Sequence, residues 1–319
     1  MEIELKKLGE ITTGNTPSKK DDSYWNSEDI CFVKPDGIAD EGITLINASS
    51  EYLSENARSK ARVVSKDAVF VTCIGSIGKI GIADEGDYAF NQQINVIEPN
   101  ETVLPRYLAY NLLYSKPRLE AIANAPVVPI INKTQFGEFK LNIEEDRAKQ
   151  AEIVSVLDKL TCIIESRKKE LESFDELIKA RFVEMFGDPI QNPKGWNIKR
   201  IGDVVTDVRY GTSNPAVEGG KYPYLRMNNL TNDGHLDLSD LKYIDISDED
   251  LEKCVVRKGD VLFNRTNSID LVGKTAVFDL SEDMVIAGYI IRVRLNDELL
   301  PEVLSQYMNL EVLKFIFQI

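Results

Sequence analysis

Histidine, paired cysteine, long apolar runs and positive charge are all scarce in this chain, and each scarcity removes a class of function. His235 is the only histidine. It sits in the polar turn TNDGHLDLSD, where a solvated or hydrogen-bonding role is the simpler reading, so histidine-dependent acid–base catalysis has little to rest on. Cys31, Cys73, Cys162 and Cys254 lie far apart and form no CxxC pair, which argues against a zinc site or a disulfide framework. No apolar run approaches the roughly 20 residues that span a bilayer, and the amino terminus MEIELKKLGE has no uninterrupted apolar region of a secretory signal. The expectation is a cytoplasmic chain with no membrane partner. Lys and Arg number 38 against 52 Asp and Glu, a formal net charge of −14. Nonspecific affinity for nucleic acid comes mainly from neutralising phosphates, so such a role would need local patches and a basic partner.

What the chain does have is a repeat. KDAVFVTCIGSIGKIGIADEG in the first half is answered by GDVLFNRTNSIDLVGKTAVFD in the second, each with an acidic turn residue (Asp67, Asp260), an apolar strand pattern, a polar insertion and a Gly-Lys pair (Gly78-Lys79, Gly273-Lys274). Leu8-Gly9-Glu10 corresponds to Ile201-Gly202-Asp203, Gly14-Asn15-Thr16-Pro17 to Gly211-Thr212-Ser213-Asn214-Pro215, and Leu104-Pro105 to Leu300-Pro301. The 319 residues therefore read as two similarly folded units. Inside each, short alternating strands broken by Gly, Asn and Asp turns dominate, as in AVFVTCIG, YAFNQQINVIE and YIIRVRL. Helices come late: LPRYLAYNLLYSKPRLEAI and LPEVLSQYMNLEVLKFIF each carry an apolar stripe behind a proline suited to a first turn.

Between the copies the period changes. Ile153, Leu157, Leu160, Ile164, Leu171, Phe174, Ile178 and Met185 follow alternating steps of three and four, with Arg167 and Arg181 at the intervening seam positions, over roughly 50 Å of helix. The pattern predicts a coiled-coil-type helix from Glu152 to Phe186, stopped by Gly187-Asp188-Pro189. The fold expected is α+β: a first strand-rich domain at 1–144, a spacer at 145–187 and a second domain at 188–319, with a second helical spacer absent or truncated.

Catalytic equipment is not evident. Gly273-Lys274-Thr275 lacks the first glycine of a phosphate-binding loop, Ser268 standing in its place, and GSIGKIG has no βαβ unit around it. What recurs is a set of polar and basic residues in comparable loops. In the first copy these are Lys34, Thr72, Ser76, Lys79, Asn91, Gln92 and Gln93. In the second they are Arg209, Tyr210, Arg226, Asn228, Asn229, Asn264, Arg265, Thr266, Asn267, Ser268 and Lys274. Arginine pairs with guanine edges and Asn or Gln with adenine, while lysines and hydroxyls hold phosphates. Turn-building is the plain alternative for each residue taken singly.

On these residues the chain resembles the DNA-specificity subunit of a type I restriction-modification enzyme. The resemblance is carried by Leu8-Gly9-Glu10 with Gly14-Asn15-Thr16-Pro17-Ser18 and Tyr24-Trp25, Gly75-Ser76-Ile77-Gly78 with Asn91-Gln92-Gln93, the helix ending in Phe182 to Pro189, and Tyr210-Gly211-Thr212-Ser213, Leu225-Arg226 and Gly259 to Lys274. It implies two target-recognition domains, each reading half of a split double-stranded DNA sequence, in a noncatalytic subunit without a cofactor or metal of its own. Modification subunits would bring S-adenosylmethionine for adenine methylation, and restriction subunits ATP and Mg. It also implies a second long helix packed antiparallel on the first. This chain shows one, so self-association through its seam is a further expectation. No NPPY-like tetrapeptide is present, Asn192-Pro193-Lys194-Gly195 and Asn214-Pro215-Ala216-Val217 not qualifying, which counts against a fused methyltransferase. The competing class is a structural interaction module that oligomerises through the helix.

Overall fold

The computed structural model describes residues 2–123, 128–188, 190–266, 268, 271–310 and 313. Two compact units emerge, Met1–Arg167 and Lys168–Ile319. The first opens with β1 (Glu2–Glu4) and β2 (Gly9–Thr13), continues through β3 (Ile30–Val33), β4 (Ile43–Ile46), β5 (Glu51–Leu53), β6 (Val63–Val64), β7 (Val69–Thr72), β8 (Ile80–Ala83), β9 (Tyr88–Phe90) and β10 (Ile94–Pro99), and closes with α1 (Pro105–Tyr114), α2 (Lys116–Ile122), α3 (Lys133–Glu138) and β11 (Lys140–Asn142). A single helix, α4 (Arg147–Phe186), runs from the first unit into the second. There follow α5 (Ile201–Val204), β12 (Val205–Tyr210), β13 (Tyr222–Leu225), β14 (Lys242–Ile244), α6 (Asp248–Cys254), β15 (Val255–Val256), β16 (Val261–Asn264), β17 (Thr275–Val277), β18 (Met284–Ile286), β19 (Ile290–Leu295) and α7 (Pro301–Asn309).

The repeat is visible as register. The first unit has sheets ordered β2-β10-β7-β8-β4 and β5-β3-β9-β6; the second has β12-β19-β16-β17 and β14-β13-β18-β15. Thr72 faces Ile94 as Asn264 faces Ile290, and Val69 faces Ile82 as Val261 faces Val277. The parallel pair β3/β9, with Val33 opposite Phe90, is matched by β13/β18, with Leu225 opposite Ile286. Two details differ from the sequence match. Asp67 has a left-handed backbone, φ 69°, and its N–H donates to Ala83 O; the residue so placed in the second copy is Gly259, φ 91°, whose N–H donates to Phe278 O. Asp260 thus takes the place of Ala68, not of Asp67. Likewise Leu8 O accepts from Asn100 N–H as Val204 O accepts from Asn296 N–H, so Leu8 answers to Val204 and not to Ile201.

Alternation along β7 explains the layers. Val69 and Val71 join Leu108, Leu112 and Phe136 in a core between sheet and helices, whereas Phe70 points to Tyr88, Phe90 and Val96 between the two sheets. Strands covered on both faces read as continuous apolar runs, which is why VFVT is fully buried. The single stripe read over residues 104–122 is broken at Ser115, because Pro117 fits only a first helical turn and starts α2. The central helix begins five residues before the predicted start. Leu157 is half-buried, and Ile153, Leu160, Ile164, Leu171, Phe174, Ile178 and Met185 are exposed. Its two ends are anchored: Asp158 accepts from Arg106 and Tyr110, both at 2.6 Å, and Phe182 meets the edge of Tyr307 at 4.9 Å between centroids.

In both units the chain changes sheet within one tight turn. Gly14 N–H donates to Ile94 O at 3.1 Å and Asn15 N–H to Phe90 O at 2.9 Å; Gly211 and Thr212 repeat this with Ile290 O and Ile286 O at 3.1 and 2.9 Å. A Cβ on Gly14 would run into the carbonyl oxygens of Phe90 and Asn91, and one on Gly211 into those of Ile286 and Ala287. Gly37 has open space at the same position. Gly14→Ala and Gly211→Ala should therefore each cost about 2 kcal/mol or more, and Gly37→Ala less than about 0.5. Chemical denaturation of the three variants checks this, and equal midpoints would contradict it.

Candidate nucleic-acid interface

The sheet change brings most of the sequence-picked residues together within each unit. In the first, Thr72 ends β7, its N–H donating to Lys79 O at 3.1 Å and its hydroxyl accepting from Lys79 N–H at 3.0 Å. Gly78 N–H returns to Thr72 O at 2.9 Å, closing a loop that leaves Ser76 exposed. Beside it Cys73 N–H donates to Gln93 O at 2.7 Å. Asn91 is buried and braces the turn: its amide donates to Gln93 Oε1 at 2.9 Å and its Oδ1 accepts from Gln93 N–H at 3.0 Å. Gln92 is exposed and accepts from Thr16 Oγ1 at 3.1 Å.

The second unit closes the same loop with the same bonds. Asn264 N–H donates to Lys274 O, and Gly273 N–H to Asn264 O, both at 2.9 Å. Arg265 N–H donates to Tyr289 O at 2.9 Å, in the place of the Cys73–Gln93 bond. The Arg265 guanidinium lies 4.8 Å over the ring of Tyr210, and both side chains are exposed. Asn264 and Thr266 are buried, Asn264 Oδ1 accepting from Thr266 N–H at 3.2 Å. Ser268 and Lys274 are half-buried; Asn228 is exposed beside the buried Asn229, whose Oδ1 accepts from Arg226 N–H at 2.8 Å. Asn267 lies outside the described residues.

Charge pairing sorts the cations. Lys34 is held by Glu51 at 2.8 Å, Lys79 by Asp40 at 2.9 Å, Arg209 by Asp207 at 3.0 Å and Arg226 by Asp240 at 2.7 Å. The Glu51 hydrogen bond raises the Lys34 pKa, and Lys34 and Lys19 together lower that of Glu51. Lys79 does the same to Asp40. Among the described residues Arg265 and Lys274 have no carboxylate within ion-pair distance, so they keep the most charge available for a phosphate or a guanine edge. Thr72, Asn264 and Thr266 are buried, and Asn264 Nδ2 has no hydrogen-bond partner among the described residues. Among the described residues no group of His, Cys, Asp and Glu could hold a metal ion, and no helix is long and apolar enough to cross a membrane.

One network went unread in the sequence. Arg292 stands where the first unit has Val96, fully buried, donating to Val255 O and, at 2.5 Å, to Asp207 Oδ2. Arg294 grips Asp260 through Nε at 2.8 Å and Nη2 at 3.2 Å. The signal was present in YIIRVRL, where arginines replace two alternate strand positions. Through Asp207 this network also fixes Arg209, on the strand that ends in Tyr210.

The family model of the type I restriction modification DNA specificity domain matches residues 1–173. The specificity subunit of the type I restriction enzyme MjaIX of Methanocaldococcus jannaschii is 27% identical over 260 residues, which is 74% of this chain and 59% of that protein. The EcoKI specificity subunit of Escherichia coli K12 is 21% identical over 275 residues, 79% of this chain and 59% of that protein. This chain therefore spans about 59% of the length of these curated relatives. Among solved structures, a type I restriction-modification S subunit from M. genitalium superposes with a TM-score of 0.50 at 13% identity, covering 100% of this chain and 79% of the other. A chain from a study of assembly and conformational transition of the type I R-M system gives 0.54 at 19% identity, covering 99% and 81%. These structures share the architecture of two β-rich domains and a long helix.

Asp207 is a residue whose loss the second unit should feel. Burial pushes its carboxyl upward, but the bonds from Arg292 and Arg209 outweigh this and hold it below the usual range. Asp207→Ala would leave Arg292 buried with a carbonyl but no counter-charge, a cost of about 3 kcal/mol at pH 7. Because the folded pKa is depressed, the contribution is present above about pH 4 and is lost as pH falls through the folded value. Denaturant midpoints of the wild type and the variant should converge on acidification; a constant gap would contradict the pairing.

Proposed function

Since this chain belongs to the type I restriction-modification DNA-specificity family, we propose that it is a noncatalytic reader of a bipartite double-stranded DNA target. The observation that carries this reading is the duplication itself: β2-β10-β7-β8 is matched by β12-β19-β16-β17 and β5-β3-β9-β6 by β14-β13-β18-β15, with one continuous helix between the copies in the chain. Each unit reads one half-site, with 1–144 and 188–319 as recognition domains and 145–187 as spacer. The contacts in the first unit come from the exposed Ser76 and Gln92 and from the half-buried Gln93, Lys34 and Lys79. In the second they come from Arg265, Tyr210, Arg209, Asn228, Arg226, Asn267 and Lys274, with Thr72, Asn264 and Thr266 shaping the loops. Most candidate cations are already ion-paired and the net charge is −14. Phosphate attraction must therefore come largely from a basic partner. Modification subunits carrying S-adenosylmethionine fill that role, with ATP-dependent restriction subunits completing the assembly.

The exposed apolar stripe of α4 supports a second element of the reading, association of the helix with another helix. A second copy is the simplest source, since a two-helix seam buries alternating residues three and four apart.

Selection from a random duplex library, with and without a copurified modification subunit, tests the function. Two short motifs with a fixed gap are expected; no enrichment from folded protein would favour the interaction-module reading. Inserting seven residues, one heptad, in α4 should change the gap and leave both half-motifs intact, whereas an unchanged gap would remove the helix as spacer. Leu160→Asp with Ile164→Asp should abolish concentration-dependent dimerisation in sedimentation equilibrium; a monomeric wild type would contradict self-association.

A further inference from the structure

Two cations of the first unit stand close to Gln92 and belong to no ion pair. The stretch 58–66 holds four basic side chains, Arg58, Lys60, Arg62 and Lys66. Arg58 is tied to Glu55 and Asp87, and Lys66 to Glu85. Lys60 and Arg62 are exposed, and among the described residues neither has a carboxylate within ion-pair distance. A side-chain clamp fixes where they sit. Asn15 follows Gly14 in the turn between the sheets, and its carboxamide closes on the backbone of this stretch at two points: Nδ2 donates to Lys60 O at 2.7 Å, and Oδ1 accepts from Arg62 N–H at 3.0 Å. The Arg62 guanidinium donates back to Thr13 O, which uses one of its five donors. Thr16, the next residue, donates through its hydroxyl to Gln92 Oε1 at 3.1 Å. Residues 13–16 thus hold the exposed amide of Gln92 on one side and the two free cations on the other.

The second unit shows that the scaffold does not need this clamp. Asn15 N–H donates to Phe90 O as Thr212 N–H donates to Ile286 O, and Val63 opposite Ala89 is matched by Val255 opposite Val285. Counting back along each chain from that pair, Glu252 stands in the place of Lys60 and Cys254 in the place of Arg62. Cys254 is buried, and Glu252 pairs with Arg257 at 2.7 Å. Thr212 brings no carboxamide, and its hydroxyl accepts from Asn214 N–H at 3.1 Å. The register is kept without the clamp and without free cations, so in the first unit they serve something other than the fold.

We propose that Lys60 and Arg62 hold the DNA backbone beside the base pairs that Gln92 reads, and that Asn15 is the positioning residue that sets them relative to Gln92. Contacts to phosphate fix a protein's register on the duplex and carry no sequence information, whereas contacts to base edges specify. An ammonium and a guanidinium free of carboxylates suit the first task, and an exposed carboxamide suits the second. This role rests on the DNA-reading function proposed above and divides the labour within it: register comes from the 60–62 stretch and sequence from the turn.

Affinity for the selected duplex as a function of salt, measured on the full chain copurified with its modification subunit, tests it. Each neutralised phosphate contributes about 0.9 to the slope of log K against log salt. Lys60→Gln with Arg62→Gln should therefore lower the slope by about 1.8, and should weaken the target and every singly altered duplex by the same factor. Asn15→Ala keeps both cations but frees their backbone, and should lower the slope as well. Gln92→Ala should change discrimination and leave the slope as it was. Lys60 and Arg62 are exposed, so the double variant should fold, which circular dichroism verifies. A wild type that binds its target while the double variant keeps the full slope overturns the assignment and leaves the DNA-reading function standing. Altered base discrimination in the double variant also overturns it, because the two cations would then read bases. A slope that falls in the double variant but not in Asn15→Ala removes Asn15 as the positioning residue. A wild type without sequence preference removes the function itself, and this role with it.

Discussion

The structure depends on a main-chain constraint, the tight passage from one sheet to the other at Phe90–Ile94 and again at Ile286–Ile290. Each passage is pinned from outside by a glycine strand end, Gly14 or Gly211, and from inside by a turn bond, Ile94 N–H to Asn91 O or Ile290 N–H to Ala287 O. Because backbone groups buried this way have no water to fall back on, the bonds tolerate little displacement. Everything attached to the passage inherits its geometry: the neighbouring strand end, the loop after it and the polar residues those loops display.

That arrangement separates scaffold from variable surface. Main-chain bonds at the loop ends are the same in both units, while the side chains carried there differ: Cys73 and Gln93 on one side, Arg265 and Tyr289 on the other. A fold held by backbone contacts can exchange such side chains without refolding, which is what the proposed reading of two half-sites on one scaffold requires. The second unit goes further and writes charge into its interior. Arg292 and Arg294, with Asp207 and Asp260, replace apolar or acidic positions of the first, so the two units are stabilised by different means behind the same register.

Much of this was legible in the sequence. The repeat could be read because strand alternation and turn glycines recur in the same order, and the helix because Ile153 to Met185 keep one face. What escaped was set by contacts between residues distant in the chain. Asp67 matches Asp260 by type, yet the left-handed backbone and the main-chain bond it makes show that Gly259 is its counterpart. Lys34 and Lys79 looked available because Glu51 and Asp40 are not their sequence neighbours. Thr72 and Asn264 looked like surface hydroxyl and amide groups, whereas they terminate buried strands. The stacking of Arg265 on Tyr210 joins two strands that no spacing rule connects.

The central claim is that each unit reads its own half of one DNA target. It is tested most directly by measuring affinities of two variants, Gln92→Ala with Ser76→Ala in the first unit and Arg265→Ala in the second, against duplexes altered one base pair at a time across both half-sites. Each variant should relax discrimination in one half only, and in opposite halves, by about tenfold at a contacted position. Loss in the same half for both variants, or an unchanged profile for both, would contradict the account.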